Sequence, residues 1–475
     1  FNPSRLAPLP TCAEVPPVMD AKVRYALDAL LRPLGLRPAW TDRDGLAGGG
    51  LYYGVAPAQA PVRALRLRHH PSTTALFAQA QRYEAASATS LRWDGEDWPV
   101  LFPHDGEALS SEPFEGADLV ASAFYWLSGW HEATTRRRDV HGRFPYAASL
   151  QAELDASADR APAGPTVLRP VVDAYRERLA TALAGQGVAF ERLGWGDGER
   201  GPDARRGAVC LTYDIDHWRR RRVGVAARAL RGHGSWRGLV GPDPFQRGID
   251  LLLGPVEARG ARPTVFLKTA ATAAEDVPYR ARDTDLRAFI RRVQESGGEV
   301  GLHPSYFAHD HVDRLHAERD RLADLAGHAI RVIRQHYLRH DAARTPRLQA
   351  NAGFRLDSTL GFSAHEGFRR ATTMPFRLYD LDTDAPLDLW ELPVHAMDTT
   401  LFQHRALTHE AVREAFRTVV AQALRFGGVA VLLWHNTIGD TMLHSGHADT
   451  YRSVVNDLPP TLLLPSLCEA LDLWR

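Results

Sequence analysis

Cysteine and net charge are both scarce in this chain. The three cysteines, Cys12, Cys210 and Cys468, lie far apart and form no CxxC pair, so neither a disulfide framework nor a thiolate zinc cluster is expected. The 57 Lys and Arg residues balance 57 Asp and Glu residues, giving a formal net charge of +0. Without an excess of positive charge, nucleic acid and anionic membranes are not expected as main partners, and a small, weakly charged ligand fits better.

Long apolar runs are missing as well. No stretch approaches the roughly 18–20 consecutive apolar residues that cross a bilayer, and the opening FNPSRLAPLP has no basic region followed by an apolar one. We therefore expect a cytoplasmic protein without an integral membrane segment. The length of 475 residues exceeds the roughly 250–300 at which a single hydrophobic core stops growing, so two domains are expected.

The beginning of the chain is predicted to be an α/β module. Apolar residues at helical spacing from Val23 to Leu34 predict a helix that ends at Gly35, and a strand is predicted over 51–55. The segment Ala117–Glu132 predicts one buried helix, because its aromatic side chains cover nearly every direction around the axis.

The stretch DASADRAPAGPTVLRP, residues 155–170, is rich in Ala, Pro, Gly and Asp. This composition is typical of a linker or a crossing between domains. We place the boundary there, with an N-terminal α/β module over 1–165 and a second domain over 166–475.

After residue 205 the sequence alternates short apolar runs with amphipathic helices, which is typical of a parallel α/β fold. The predicted strands are Ala208–Tyr213, Thr264–Leu267, Glu299–Leu302 and Val429–Trp434, and the predicted helices include 283–293 and 416–424. Asp214, His303 and His435 directly follow three of these strands. Active sites of parallel α/β folds lie at the carboxyl ends of the strands, so these side chains are expected to share a site.

Two carboxylates flank Ile215 in the stretch LTYDIDHW. Asp214 and Asp216 lie two apart on an extended segment, so both point to one face. An Asx turn or a helix cap is an equally good interpretation of the pair alone. Neighbouring ionised carboxylates repel unless a cation or a shared proton relieves them. A divalent metal held by one, with the other acting as base, would resolve that conflict.

Histidines complete the candidate site. His303 follows a strand in line with the aspartates, RQHY supplies His336, and a histidine with a carboxylate suits Zn²⁺. Most of the 21 histidines must be surface or core residues, so each assignment competes with that interpretation. His435 is a candidate proton donor or a hydrogen-bonded rim residue, and Arg334 either holds a carboxylate ionised or forms an ordinary ion pair.

With these residues together, the C-terminal part resembles the polysaccharide deacetylase family, the metal-dependent carbohydrate esterases with a NodB-homology domain. The motifs that carry the resemblance, in order, are TYDID (212–216), PTVFL (263–267), GLHPS (301–305), RQHY (334–337) and LWH (433–435). Each motif is weak alone, but five in order form a strong signal. The resemblance implies a distorted (β/α) barrel preceded by the N-terminal α/β domain.

The resemblance also implies roles for individual residues. They are Asp214 as catalytic base, Arg334 as the group that orients it, the main-chain N–H of Tyr337 at the oxyanion, His435 as general acid, and Asp216 with His303 as metal ligands. The family normally has a second histidine four positions after the first, where this chain has Phe307. His336, in the place usually held by proline, is one candidate for the third ligand, and His309, His311 and water are the others.

A subgroup of the family found among surface-polysaccharide loci has HPSY in place of the two-histidine motif, and the N-terminal part also resembles the module of those proteins through DLVASAFYWLSGWHEATTRRRDVHGRFP and LRPVVDAY. The expected function is the metal-dependent removal of an N-acetyl or other N-acyl group from an amino sugar or glycan, with Zn²⁺ as the expected metal. Two alternatives stay open. One is a metal-free protein that binds sugar or assembles with partners, and the other is a hydrolase of a different C–N bond.

Overall fold

The computed structural model describes residues 6–55, 59–61, 63–104, 116–157, 164–195, 207–220, 242–277, 279 and 281–474. Its strands are β1 (Ala7–Glu14), β2 (Leu36–Trp40), β3 (Gly50–Gly54), β4 (Ala64–Arg68), β5 (Thr89–Trp93), β6 (Glu96–Val100), β7 (Ala208–Ile215), β8 (Thr264–Leu267), β9 (Glu299–Leu302), β10 (Val332–Ile333), β11 (Leu356–Asp357), β12 (Phe376–Asp380), β13 (Ala385–Glu391), β14 (Ala396–Met397) and β15 (Val429–His435).

The α-helices are α1 (Pro17–Leu31), α2 (Pro71–Ala78), α3 (Leu119–Ser128), α4 (Trp130–Thr134), α5 (Leu150–Ser157), α6 (Val171–Gly185), α7 (Pro244–Glu257), α8 (Asp283–Glu295), α9 (Val312–Ala326), α10 (Thr345–Asn351), α11 (His409–Arg425), α12 (His447–Asp457) and α13 (Leu467–Leu473). Among the described helices, none combines the length and the apolar character that crossing a bilayer requires.

The N-terminal sheet is parallel, in the order β2-β1-β3-β4, and β5 and β6 form a separate antiparallel hairpin. The predicted first helix and the strand near residue 51 are confirmed as α1 and β3, and a left-handed Gly35 follows the short 3-10 turn after α1. The prediction of one continuous helix over Ala117–Glu132 is wrong in one respect. The helix breaks into α3 and α4 at Gly129, which has φ 76° and whose Cβ would meet the Arg370 guanidinium.

The larger sheet has nine strands in the order β12-β13-β11-β10-β9-β8-β7-β15-β14. Neighbouring strands are parallel except β12 and β13. Every residue of β7 and β8 is buried, as expected of parallel strands covered on both faces. The predicted α/β class is therefore confirmed. Within the described residues the pairing runs from β12 to β14 without closing, so the predicted barrel is not confirmed by it.

The two halves of the chain are in close contact. The helix α6 packs against α1 and α3, and the buried carboxylate of Glu132 accepts hydrogen bonds from the guanidinium groups of Arg369 and Arg370. Residues 158–163 of the predicted linker lie outside the described residues. On either side of them, the main-chain N–H of Thr166 donates to Asp155 at 3.0 Å. The boundary near residue 165 stays a prediction.

Candidate metal centre and catalytic site

The strand ends of the larger sheet surround one cavity of about 630 Å³. Its lining includes Asp214, Asp216, His303, His336, Tyr337 and His435. The seventh predicted residue, Arg334, is fully buried behind Asp214. Asp214 lies inside β7 rather than after it, and is paired in register with His435 on β15. The parallel arrangement thus brings together side chains that are more than 200 positions apart in the sequence.

Asp216, His303 and His336 form a cluster in which one ligand atom of each lies within 4.8 Å of the others. The Oδ1 atom of Asp216 is 3.4 Å from Nε2 of His303 and 3.5 Å from Nε2 of His336. Among the described residues, this is the one cluster of its kind. It contains Asp216 and His303, the two ligands that the resemblance implies, together with His336, one of the candidates for the third.

Hydrogen bonds to the opposite ring nitrogens orient both histidines. The Nδ1 atom of His303 lies 2.7 Å from the main-chain oxygen of Arg334, and the Nδ1 atom of His336 lies 2.7 Å from Oδ1 of Asp276. Since Nδ1–H donates in each case, the Nε2 lone pair faces the cluster. Burial lowers the pKa of His336, which favours the neutral ring that a metal requires.

The donor set suits a borderline divalent cation. Two imidazole nitrogens and one carboxylate oxygen are typical zinc ligands, and three protein ligands are the usual number in a catalytic site. The buried Oδ1 of Asp216 has no hydrogen-bond partner among the described residues, and such an atom is costly unless a ligand satisfies it. Burial alone would raise the pKa of Asp216, but His303 and Lys268 hold it well below its usual value. These residues therefore fit a metal.

Arg334 fixes the second carboxylate. Its Nη1 donates to Oδ1 of Asp214 at 3.0 Å and to Oγ1 of Thr212 at 2.9 Å, while its Nε donates to the main-chain oxygen of Ser358 at 2.9 Å. Oδ2 of Asp214 is 3.7 Å from Nε2 of His303. The carboxylate is thus held beside the cluster with one oxygen directed towards it.

His435 has its own carboxylate partner. Its Nδ1 lies 2.6 Å from Oδ1 of Asp398, which follows β14, and its Nε2 lies 3.8 Å from Oδ2 of Asp216. Burial alone would lower the pKa of His435, but Asp398 and the cavity aspartates raise it to about 10. In this environment the imidazole carries a proton and directs Nε2–H into the cavity, as a general acid must.

Tyr337 lies on a strained turn. It has φ 61° and the next residue, Leu338, has φ 53°, a left-handed conformation that costs about 1–3 kcal/mol per residue outside glycine. The turn directs His336 into the cluster and places Tyr337 in the cavity wall. No hydrogen bond from its main-chain N–H is found among the described residues, so this donor is available at the cavity.

The N-terminal part of the chain contributes to the cavity wall. His141 and Arg143 line the cavity. Nη1 of Arg143 donates to the main-chain oxygen of Tyr337 at 3.2 Å, and Nε of Arg339 donates to that of His141 at 2.8 Å. Both side chains belong to the run RRRDVHGRF, residues 136–144, for which the sequence leaves open a role in holding substrate or an ordinary solvated face.

The two other histidines that were candidates for the third ligand are directed elsewhere. His309 and His311 lie 3.7 and 3.4 Å from Asp310, and not in the cluster. The Phe307 side chain is 42% exposed. Asp276 was missed because it lies in a loop with no pattern of its own. Asp398 directly follows an apolar strand, as His303 does, so its position at the end of a strand could have identified it.

A family of unknown function, DUF7033, matches residues 16–187. No protein with curated annotation matches the chain. A solved structure from Mycobacterium smegmatis, assigned as a polysaccharide deacetylase, is 19% identical with a TM-score of 0.41, over 60% of this chain and 95% of that one. Two mutants of a CE4 family pseudoenzyme, one with restored enzymatic activity, are each 11% identical with a TM-score of 0.27, over 57% of this chain and 69% of theirs.

Proposed function

We propose that this protein is a metal-dependent hydrolase that removes an N-acetyl or other N-acyl group from an amino sugar or glycan used in surface polysaccharide synthesis. The observation that supports this most directly is the position of Asp214. Its carboxylate lies beside the Asp216, His303 and His336 cluster and is fixed by Arg334, while the His435–Asp398 pair also faces the cavity. Amide hydrolysis needs a base, an electrophile and an acid around one bond.

Asp216, His303 and His336 would hold the divalent cation, which supplies Lewis-acid catalysis when bound. Asp214 accepts a proton from the attacking water, whose oxygen forms a bond to the acyl carbon. The main-chain N–H of Tyr337 donates to the oxygen that becomes negatively charged.

The C–N bond then breaks. Nε2–H of His435 protonates the departing nitrogen, so that an amine leaves and a carboxylic acid stays behind. Asp398 holds the ring in the orientation that directs Nε2 into the cavity. Arg334 keeps Asp214 in place for the first proton transfer through the 3.0 Å hydrogen bond.

Release of acetate from a panel of N-acetylated amino sugars and oligosaccharides tests the proposal. Asp214→Asn should abolish release while leaving the circular dichroism spectrum and the zinc content unchanged, because it removes the base but retains the shape of the side chain. Asp310→Asn, a carboxylate away from the cavity, is the matched control. Unchanged acetate release by Asp214→Asn would refute the assignment.

Metal analysis separates the proposal from the alternatives. Protein purified without chelator should contain about one equivalent of divalent metal, and chelation should stop acetate release until Zn²⁺ is added back. A protein that binds no zinc and releases no acid, yet binds glycan, would instead be a sugar-binding module. A protein that binds zinc and hydrolyses formyl or cyclic amides, but not acetamides, would be a hydrolase of another C–N bond.

A further inference from the structure

Lys268 is a buried ammonium group that the proposed mechanism does not use. It directly follows β8, between the strand that carries the aspartates and the strand before His303. Its side chain lines the cavity but is only 2% exposed, and Nζ has no hydrogen-bond partner among the described residues. The closest carboxylate oxygen is Oδ1 of Asp216, at 3.9 Å.

Contacts with Tyr279 fix the position of Lys268. Its main-chain N–H donates to the phenol oxygen of Tyr279 at 3.1 Å, and that phenol in turn donates to the main-chain oxygen of Ile215, between the two cavity aspartates. The ammonium also lies 5.6 Å from the centre of the Tyr279 ring. The lysine and the β7 carboxylates are therefore held in a fixed relation by one tyrosine.

A lysine is unusual in this chain. Of the 57 Lys and Arg residues only two are lysines, Lys22 and Lys268. Arginine is a planar fork, whereas the ammonium of lysine is a compact charge with three donors in a tetrahedral arrangement. Lys268 therefore places a compact cation at the end of β8, beside the cluster.

A buried ammonium without a hydrogen bond is costly, so its three donors need an acceptor in the working protein. Asp216 cannot supply it at 3.9 Å. If Asp216 also holds a metal, the metal ion and the Lys268 ammonium are two positive charges close together. A negatively charged oxygen is the ligand that relieves the repulsion between them. The acyl oxygen of the substrate gains such a charge during hydrolysis, and the released carboxylate carries it afterwards.

We propose that Lys268 is a catalytic residue that binds the acyl oxygen of the substrate and the carboxylate of the released acid. This inference rests on the proposed function and adds an oxyanion contact to it. Lys268 keeps its protons throughout the reaction and only donates hydrogen bonds, because Asp214 and His435 carry out the proton transfers. The substrate specificity follows from the same contact, since any acyl group that is accepted must direct its oxygen towards the end of β8.

The test compares the full-length wild type with Lys268→Met, Lys268→Gln and the control Lys22→Met. Calorimetric titration of the zinc-loaded proteins with acetate and with formate is the first measurement. Affinity should fall roughly tenfold or more in both Lys268 variants, as expected for loss of a charged hydrogen bond, and should be retained in Lys22→Met. The kcat for the best N-acyl sugar should fall about 10²–10³-fold with a smaller change in KM.

Zinc affinity, measured by competition with a chromophoric chelator, shows whether the cluster is intact. It should be equal or higher in the Lys268 variants, because a cation next to Asp216 is removed. Equal carboxylate affinity in wild type and Lys268→Met, or no carboxylate binding by the wild type, would overturn the inference, as would loss of zinc in both variants. If no N-acyl sugar is hydrolysed, the proposed function fails, and the carboxylate titrations still decide the role of Lys268.

Discussion

The imidazole Nδ1 of His336 lies 2.7 Å from Oδ1 of Asp276, a residue 60 positions earlier in the chain. The same carboxylate accepts main-chain hydrogen bonds from Thr272 and Tyr306. Burial alone would raise the pKa of Asp276, but His336 and these N–H groups lower it to about 2. An ionised acceptor therefore fixes which nitrogen of His336 faces the cluster.

Asp276→Asn should lower zinc affinity roughly 10–100-fold, as is typical when the carboxylate partner of a metal-binding histidine is lost. Competition with a chromophoric chelator gives the dissociation constant. Asp310→Asn is the matched control, because Asp310 contacts His309 and His311 outside the cluster. An equal loss in the two variants would contradict the role given to Asp276.

His435→Gln should lower kcat for an N-acyl sugar about 10²–10⁴-fold, because the departing amine then lacks its proton donor. The loss should be much smaller for nitrophenyl acetate, since a nitrophenolate leaves without a proton. Stopped assays of amine release and the absorbance of nitrophenolate provide the two rates. His409→Gln, a histidine hydrogen-bonded to Thr450, should change neither rate. An equal loss on both substrates would exclude general-acid catalysis by His435.

Arg143→Ala should raise KM for oligosaccharide substrates several-fold with little change in kcat, because Arg143 lines the cavity. Initial rates over a range of substrate concentrations separate the two constants. Arg136→Ala removes an exposed arginine of the same segment and should leave both constants unchanged. If Arg143→Ala changes kcat alone, the wall acts on the chemical step and not on binding.

Glu132→Gln should destabilise the protein by about 3–5 kcal/mol at pH 7, because the buried Arg369 and Arg370 lose their carboxylate. Urea unfolding followed by tryptophan fluorescence measures the difference. The exposed Glu410, paired with Arg413, provides the control, and its change to Gln should have no measurable effect.

The same carboxylate gives a pH dependence. Burial alone would raise the pKa of Glu132, but Arg369 and Arg370 hold it below its ordinary value. Because the pKa is lower in the folded protein, the stabilisation is present above the unfolded value of about 4.3 and is lost as pH falls below it. Glu132→Gln should therefore show a shallower loss of stability between about pH 5 and pH 3. If the unfolding free energies of the wild type and Glu132→Gln fall in parallel with pH over this range, the role given to Glu132 is contradicted.

Strand ends were the part of the site that the sequence could predict. An apolar run followed by Asp214, His303 or His435 indicates a strand that stops at a functional edge, and parallel pairing brings such edges together. The sequence likewise indicated His336 as one of several possible ligands. It could not choose among them, because the direction of a loop side chain depends on packing against segments that are remote in sequence.

Local periodicity encodes the alternation of strands and helices and the types of side chain that end each strand, so both could be read from the residues alone. The contact of Asp276 with His336, the approach of Lys268 to Asp216, and the wall formed by His141 and Arg143 became visible only in the folded chain. These contacts join residues tens to hundreds of positions apart, and no local pattern records where such segments meet.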